Sequence, residues 1–599
     1  MLLRQRLFYE AGIQMPLLTF DQNTDYKIVH QQLVADGYLH PDAEILNIWR
    51  WFVDHELSET NPISEFESTP IGELTTEVFE MDGDPWLTIH NLGDIEIAKE
   101  YFRSDGTIAI RLVSEDGGLA GLTPGIELVG ASGQVINEFK TLREFYRFWV
   151  TLLSPGSENV FLISDSRIII PSFLEMGTRY FTLLQIHTPH SSDDRHFLAP
   201  IRGSYLEAFA YQNQLDALCI LTERQKSDIG KRFGLADNLF VVRSAVLPAQ
   251  NLDEQKHHAN LITTTTRFHP VKGTDKAVHA FAKLLERVPD AKFDIYGDGE
   301  LREEVESLIS ELGIGHAVNL RGYDPNARER LNDAVCYWNT SKYEGYPLAT
   351  LEAMSQGCPV VAFDVKYGLN EQVIDGYNGF LTKSDDLDTF VERTISIMRD
   401  RELFDRLSKG ALETAQSNSP ENFLEATVKV LWEIVEKKSR RTKVAGINIE
   451  QQDVRFAQHL KFLRFQPDLR LELDMELLID SHSAGQPLSS ADFFLELVSP
   501  QSEELVRLPM QTASDGKHFQ ISASISGAEM RKAISQLGQG VLQVELRTGF
   551  VWGNSSWVHP LSKRVRVLTG SNGKVRGFAA DTLLPKSLLG KTPVRHTGS

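Results

Sequence analysis

Asn339-Thr-Ser-Lys-Tyr-Glu344-Gly-Tyr-Pro347-Leu-Ala-Thr-Leu-Glu352-Ala-Met-Ser-Gln-Gly357 holds two carboxylates, Glu344 and Glu352, with seven residues between them across a loop-to-helix junction. Gly345 and Pro347 mark a turn, Pro347 suits a first helical position, and Leu348 to Gln356 is a good helix former closed by Gly357. A helix beginning just after Glu344 leaves its first N–H groups unpaired at the positive end of its dipole, which makes a place for an anion such as phosphate. Glu344 can then accept hydrogen bonds from hydroxyls on one side of the anion and Glu352 from hydroxyls on the other. The spacing alone does not separate this arrangement from a solvated helical face.

The flanking sequence does. Arg267-Phe-His-Pro-Val-Lys272-Gly273 lies about seventy residues upstream and Pro359-Val-Val-Ala-Phe-Asp follows Gly357. Hydroxyls, a diphosphate and further hydroxyls are the layout of a nucleotide-sugar, and the combined pattern resembles the donor half of a retaining glycosyltransferase of family 4, with two Rossmann-like domains (the GT-B fold). The resemblance implies that Arg267 and Lys272 bind the diphosphate. It implies that Glu344, with the backbone of Gly345, Tyr346, Pro347 and Leu348, binds the sugar, and that Glu352 binds the ribose. Tyr323, ending the strand-like run from Val318, would stand at the uracil.

A chain of 599 residues is too long for one core and suggests three to five domains. Its formal net charge of -21 excludes a broad nucleic-acid surface, which needs clustered excess cations. Cys219, Cys336 and Cys358 are odd in number and lack metal-ligand spacing, so they read as buried thiols in a reducing compartment. No apolar run approaches the ~18 residues of a spanning helix and no signal-peptide pattern opens the chain, so the expectation is a cytoplasmic protein.

The expected fold class is α/β: two Rossmann-like domains with an inserted antiparallel β-meander and a C-terminal β-sandwich. Residues 1–53 and 141–255 read as the N-terminal, acceptor-side domain. It starts with an amphipathic helix at 2–12, where a doubly wound domain normally has a strand and glycine-rich turn, so its first strand is expected to be missing. A strand from Met15 to Phe20, a helix at 25–36 and a strand-like Glu44 to Trp49 follow. Alternating runs within 54–140, among them Trp86-Leu-Thr-Ile-His and Thr107-Ile-Ala-Ile-Arg-Leu-Val, read as the meander. An insertion of this kind resembles the poly(glycerol-phosphate) α-glucosyltransferases and the enzymes that glycosylate serine-rich adhesins. It fits acceptor binding or a purely structural insertion equally well.

Tyr180-Phe-Thr-Leu-Leu-Gln-Ile-His187-Thr-Pro-His190 is a buried-type strand ending in two histidines, and in open α/β sheets ligands sit beyond the carboxyl ends of strands. Relatives place a histidine here beside the transferring sugar; His190 is the first choice and His187 the acceptor-side candidate. Residues 256–436 form the nucleotide-sugar domain with a last helix returning to the first domain. The basic linker 437–449 could touch anionic lipid at about 1 kcal/mol per cation, although a solvated linker is the commoner case. A β-sandwich at 450–570 and a tail at 571–599 complete the chain.

The function these readings imply is a metal-independent hexosyltransferase without a cofactor. It would carry glucose from UDP-glucose to a hydroxyl of a poly(glycerol phosphate) wall polymer, the departing diphosphate helping to deprotonate the acceptor. O-glycosylation of a serine-rich adhesin with a partner subunit, and a non-catalytic acceptor-binding protein, are the alternatives. Membrane contact and homo-oligomerisation are left open.

Overall fold

The computed structural model describes residues 2–581, except 23–25, 58–62, 67–73, 82–83, 121, 157–158, 175, 192–201, 203–204, 206–207, 210–211, 234–237, 250–257, 438–453, 466–469, 482–491, 499–504, 515–517, 537–542, 553–554 and 570–574. All of the basic linker but Lys437 lies outside the described residues, as do 571–574 and 582–599 of the tail; the tail expected from 571 is corrected, because Val575–Asp581 is a strand paired with Ser555–Thr569.

The second half of the chain contains a six-stranded, all-parallel sheet. Its spatial order is Val318–Gly322, Lys292–Tyr296, His258–Thr265, Ala334–Asn339, Val360–Phe363, Gly379–Thr382. Counted along the chain this is 3-2-1-4-5-6, the doubly wound order, and it reverses between His258–Thr265 and Ala334–Asn339. Runs such as Val360-Val-Ala-Phe are apolar throughout because helices cover both faces, and all four of those side chains are buried. The helix Thr274–Leu285 turns Ala277, Phe281 and Leu284 into this core, the stripe expected from their spacing.

In the first half, Val160–Ser164, Tyr180–Gln185, Ala217–Ile220 and Leu239–Val241 form a four-stranded parallel sheet in chain order. Leu17–Thr19 and Ile45–Asn47 pair as a separate two-stranded parallel sheet. The helix Pro420–Lys437 does return, as expected: its Val430 and Ile434 pack with Phe181, Leu183, Ala217, Cys219 and Val242 of the first sheet. Between Ser64 and Phe139 lies a seven-stranded antiparallel sheet that includes Thr75–Met81 and Gly125–Val129, strands the alternation did not single out. Aromatic packing anchors it, with Tyr101 stacked on Trp49 at 4.8 Å between ring centroids. After the linker come two antiparallel sheets, of four and five strands, with a helix at Gly527–Gln536.

Three local expectations are corrected. The strand-like Glu44 to Trp49 shrinks to Ile45–Asn47, because the Asn47 side chain accepts from the N–H groups of Trp49 and Arg50 and so caps a helix, Ile48–Asp54. The first helix, Leu2–Glu10, is not cleanly amphipathic: Arg4 and Gln5 are buried along with Leu7 and Phe8. Pro347 is the N-cap of Leu348–Ser355 rather than its first residue. All three cysteines are free and buried, and burial pushes the Cys219 thiol up to about 12.

Candidate active site

A cleft opens at the point where the strand order reverses. Thr264, Thr265 and Thr266 at the end of one strand line it, with Asn339, Thr340 and Ser341 at the end of the other. Two helices point their N-termini into it, through Thr274 and through Pro347, Leu348 and Ala349. Both dipoles therefore favour negative charge at one place.

Lys272 and Glu344 face each other there, Nζ to Oε1 at 2.7 Å. The same carboxylate oxygen accepts from Ser341 Oγ at 2.7 Å. The loop bearing Lys272 is clasped to the Glu344 loop by Thr340, whose hydroxyl donates to the Gly273 carbonyl at 2.9 Å. Gly273 itself is left-handed, φ 62°, and a Cβ there would stand 2.3 Å from the Thr340 carbonyl oxygen, so only glycine permits the clasp. Arg267, next in sequence to the lining residue Thr266, is exposed and, in contrast to Lys272, has no carboxylate partner among the described residues.

Glu352 lies further along the helix, outside the cleft lining. Burial raises its carboxyl above the ordinary value, and the nearby Arg328 guanidinium opposes that. Tyr38 of the first half is also within electrostatic reach of Glu352 and of Tyr323, which is 82% exposed. Tyr346 differs from the other residues of its run. Its side chain is buried and donates to Asn418 Oδ1 at 2.6 Å, so any contact it makes to sugar comes from its backbone.

The two histidines have unlike environments. His190 is fully buried, with its ring stacked on Tyr367 at 5.6 Å and the Gln225 amide near its Nδ1. Tyr367 in turn donates its N–H to the Glu344 carbonyl at 2.6 Å. His190 is thus linked to the sugar-side glutamate through one intervening residue and does not itself line the cleft. His187 has an exposed ring, and its Nε2 lies 2.5 Å from Asp165 Oδ1. Asp165 also receives Arg4 Nη2 at 2.5 Å. Burial would raise the Asp165 carboxyl, but the His187 hydrogen bond and the Arg4 charge prevail and hold it at about 2. The two halves of the molecule meet here: a Cβ on Gly345 would stand 2.2 Å from the His187 carbonyl oxygen.

The region spanning this cleft, residues 250–414, matches the family described as glycosyl transferases group 1. Over those residues the chain is similar to the group 1 glycosyltransferases. Among its relatives, the poly(glycerol-phosphate) alpha-glucosyltransferase of Bacillus subtilis (strain 168) is 30% identical over 263 residues, 43% of this chain. That match spans only 38% of the relative's own length. Two solved structures share the fold of this chain. Staphylococcus aureus TarM, solved with fondaparinux, alpha-GlcNAc-glycerol and UDP, has TM-score 0.55 and 20% identity, covering 72% of this chain and 95% of that one. The GtfA/B complex has TM-score 0.54 and 17% identity, covering 72% and 96%.

The Thr264 to Thr266 run, Thr274 and Ser341 were not singled out in advance as cleft residues. Asp165 and Arg4 carried no local signal, because their meaning depends on two distant segments meeting.

Proposed function

We propose that this glycosyltransferase moves a hexose, glucose from UDP-glucose, to a hydroxyl of a poly(glycerol phosphate), with retention at the anomeric carbon. The observation that carries the reading is the convergence of Lys272, Glu344 and two helix N-termini on the switch-point cleft, with Arg267 next in sequence to its lining residue Thr266. A diphosphate seated there takes Lys272 as a partner, and Glu344 turns its oxygens to sugar hydroxyls. Glu352 takes the ribose, and Tyr323 stands at the base.

Attack comes from the face the diphosphate leaves. The C1–O bond to the diphosphate breaks as the bond from C1 to the acceptor oxygen forms, and the acceptor proton passes to the departing phosphate oxygen. Arg267 and Lys272 stabilise the charge that develops on that phosphate, so the scheme assigns no metal or cofactor. His190 holds the sugar-side loop through Tyr367. The polymer is made on the cytoplasmic face of the membrane, where the enzyme would act. The domains divide as 1–53 with 141–255, 54–140, 256–436 and 450–570, the last a β-sandwich of accessory role.

The likeness to the GtfA/B complex favours a second reading, O-glycosylation of a serine-rich protein together with a partner subunit. The test is UDP release from UDP-glucose with a glycerol-phosphate polymer or a serine-rich peptide as acceptor, repeated with Arg267→Gln and Lys272→Gln. Turnover on the polymer that falls about a hundredfold or more in either variant is expected. Turnover on the peptide alone overturns the polymer assignment, and unchanged turnover in both variants overturns the donor site.

A further inference from the structure

Several cations around the site and between the two halves face a carboxylate. Arg4 meets Asp165, Lys272 meets Glu344, Lys366 meets Asp228 and Arg243 meets Glu371. Two do not. Among the described residues neither Arg167 nor Arg202 has a carboxylate partner, in a chain with 21 excess negative charges. Each is instead held against a tyrosine ring. The Arg167 guanidinium carbon lies 5.0 Å from the ring centre of Tyr205, and that of Arg202 lies 4.2 Å from Tyr343.

These rings fix both arginines beside the reaction centre. Tyr343 immediately precedes Glu344. Tyr205 shares a 2.6 Å hydrogen bond with Thr188, the neighbour of His187. Arg202 is fastened further: its backbone N–H donates to the His190 carbonyl at 3.0 Å and its Nε to the Ser191 carbonyl at 2.9 Å. That leaves its terminal nitrogens for an incoming group. Arginine presents a rigid fork suited to phosphate oxygens, and its stacking on a ring lowers the entropy lost when a ligand is bound.

We infer that Arg167 and Arg202 form a phosphate-binding subsite on the acceptor side, flanking His187, that selects an acceptor whose hydroxyl sits between phosphodiesters. A glycerol unit within a phosphodiester chain has that chemistry, with one phosphate on either side of its free hydroxyl and one guanidinium for each. This inference rests on the polymer reading of the same site. It adds the residues that separate a phosphate-bearing acceptor from a neutral one.

The experiment uses the full chain with Arg167→Gln, Arg202→Gln and Arg202→Lys. Binding of a short glycerol-phosphate oligomer is measured by calorimetry without donor, and transfer to the oligomer is compared with transfer to free glycerol. Each glutamine variant is expected to weaken oligomer binding by about 10- to 100-fold and to lower the oligomer-to-glycerol selectivity by a similar factor. Arg202→Lys, which keeps charge and loses the fork, is expected to fall between. Equal losses on oligomer and glycerol, or unchanged oligomer binding, overturn the subsite. Calorimetry with UDP runs alongside: failure of UDP binding in the unaltered chain defeats the donor site and leaves the oligomer titration to decide the subsite by itself.

Discussion

Lys366→Met is the substitution whose cost the structure defines most sharply. Lys366 Nζ and Asp228 Oδ2 are 2.9 Å apart, from opposite halves of the molecule, with side-chain exposures of 4% and 2%. At that distance and an effective dielectric of about 20, the attraction is about 6 kcal/mol, most of which offsets the cost of removing both charges from water. Removing only the lysine leaves Asp228 buried and uncompensated, which costs about 3–5 kcal/mol. With a urea slope of about 2–3 kcal/mol per molar, the unfolding midpoint of the affected unit should drop by about 1–2 M. Tryptophan fluorescence in urea follows it, because Trp49, Trp149 and Trp338 lie in the two cores. The double variant Lys366→Met with Asp228→Leu should regain most of the loss, since a buried pair is often replaceable by apolar groups. The damage should also reach the site, because the Lys366 carbonyl accepts the Glu344 N–H at 3.0 Å and donor KM should rise. A single variant within about 1 kcal/mol of the unaltered chain, or a double variant no more stable than the single, would refute this reasoning.

Gly345→Ala drives a methyl group to within 2.2 Å of the His187 carbonyl oxygen, so the two halves must separate; overpacking of this kind costs about 1–3 kcal/mol, and turnover should be lost while UDP affinity changes less. Calorimetry with UDP beside a turnover assay checks it. Glu352→Gln removes a carboxylate whose pKa burial raises, and whose neutral form is therefore the one the fold favours below the unfolded value of 4.5. Melting temperature should rise at pH 8 and match the unaltered chain near pH 4, while UDP binding weakens about tenfold or more if the ribose contact is right. Asp165→Asn has the opposite sign. A carboxyl held at about 2 instead of 3.8 contributes about 2 kcal/mol above pH 4, lost as the pH falls toward 2, so the stability gap between variant and unaltered chain should close over that interval in urea titrations.

The donor half was legible because its information is local. Glu344, Pro347 and Gly357 punctuate one helix, and apolar runs such as Val360 to Phe363 announce strands buried on both faces. The cleft position followed from where those strands end. What could not be read is whatever depends on distant segments meeting. Lys366 and Asp228 are 138 positions apart, and nothing near either one signals a buried charge. The same holds for His187, whose partner Asp165 lies on the neighbouring strand's end, and for the burial of His190 under Tyr367. Glu44 to Trp49 failed for a different reason: a short run rich in isoleucine, leucine and tryptophan suits a strand, but one asparagine at a capping position outweighed it.

The return helix has a consequence for synthesis of the chain. Phe181, Leu183, Ala217 and Val242 are covered by Val430 and Ile434 of a helix made much later. At ribosomal speeds of about 5–20 residues per second, the roughly 190 residues between Val242 and Ile434 take about 10–40 s to emerge. For that interval the first sheet has an uncovered apolar face. A shortened chain ending near residue 415 would keep that face for good, so the two halves of this protein can be produced separately only if something else shelters it.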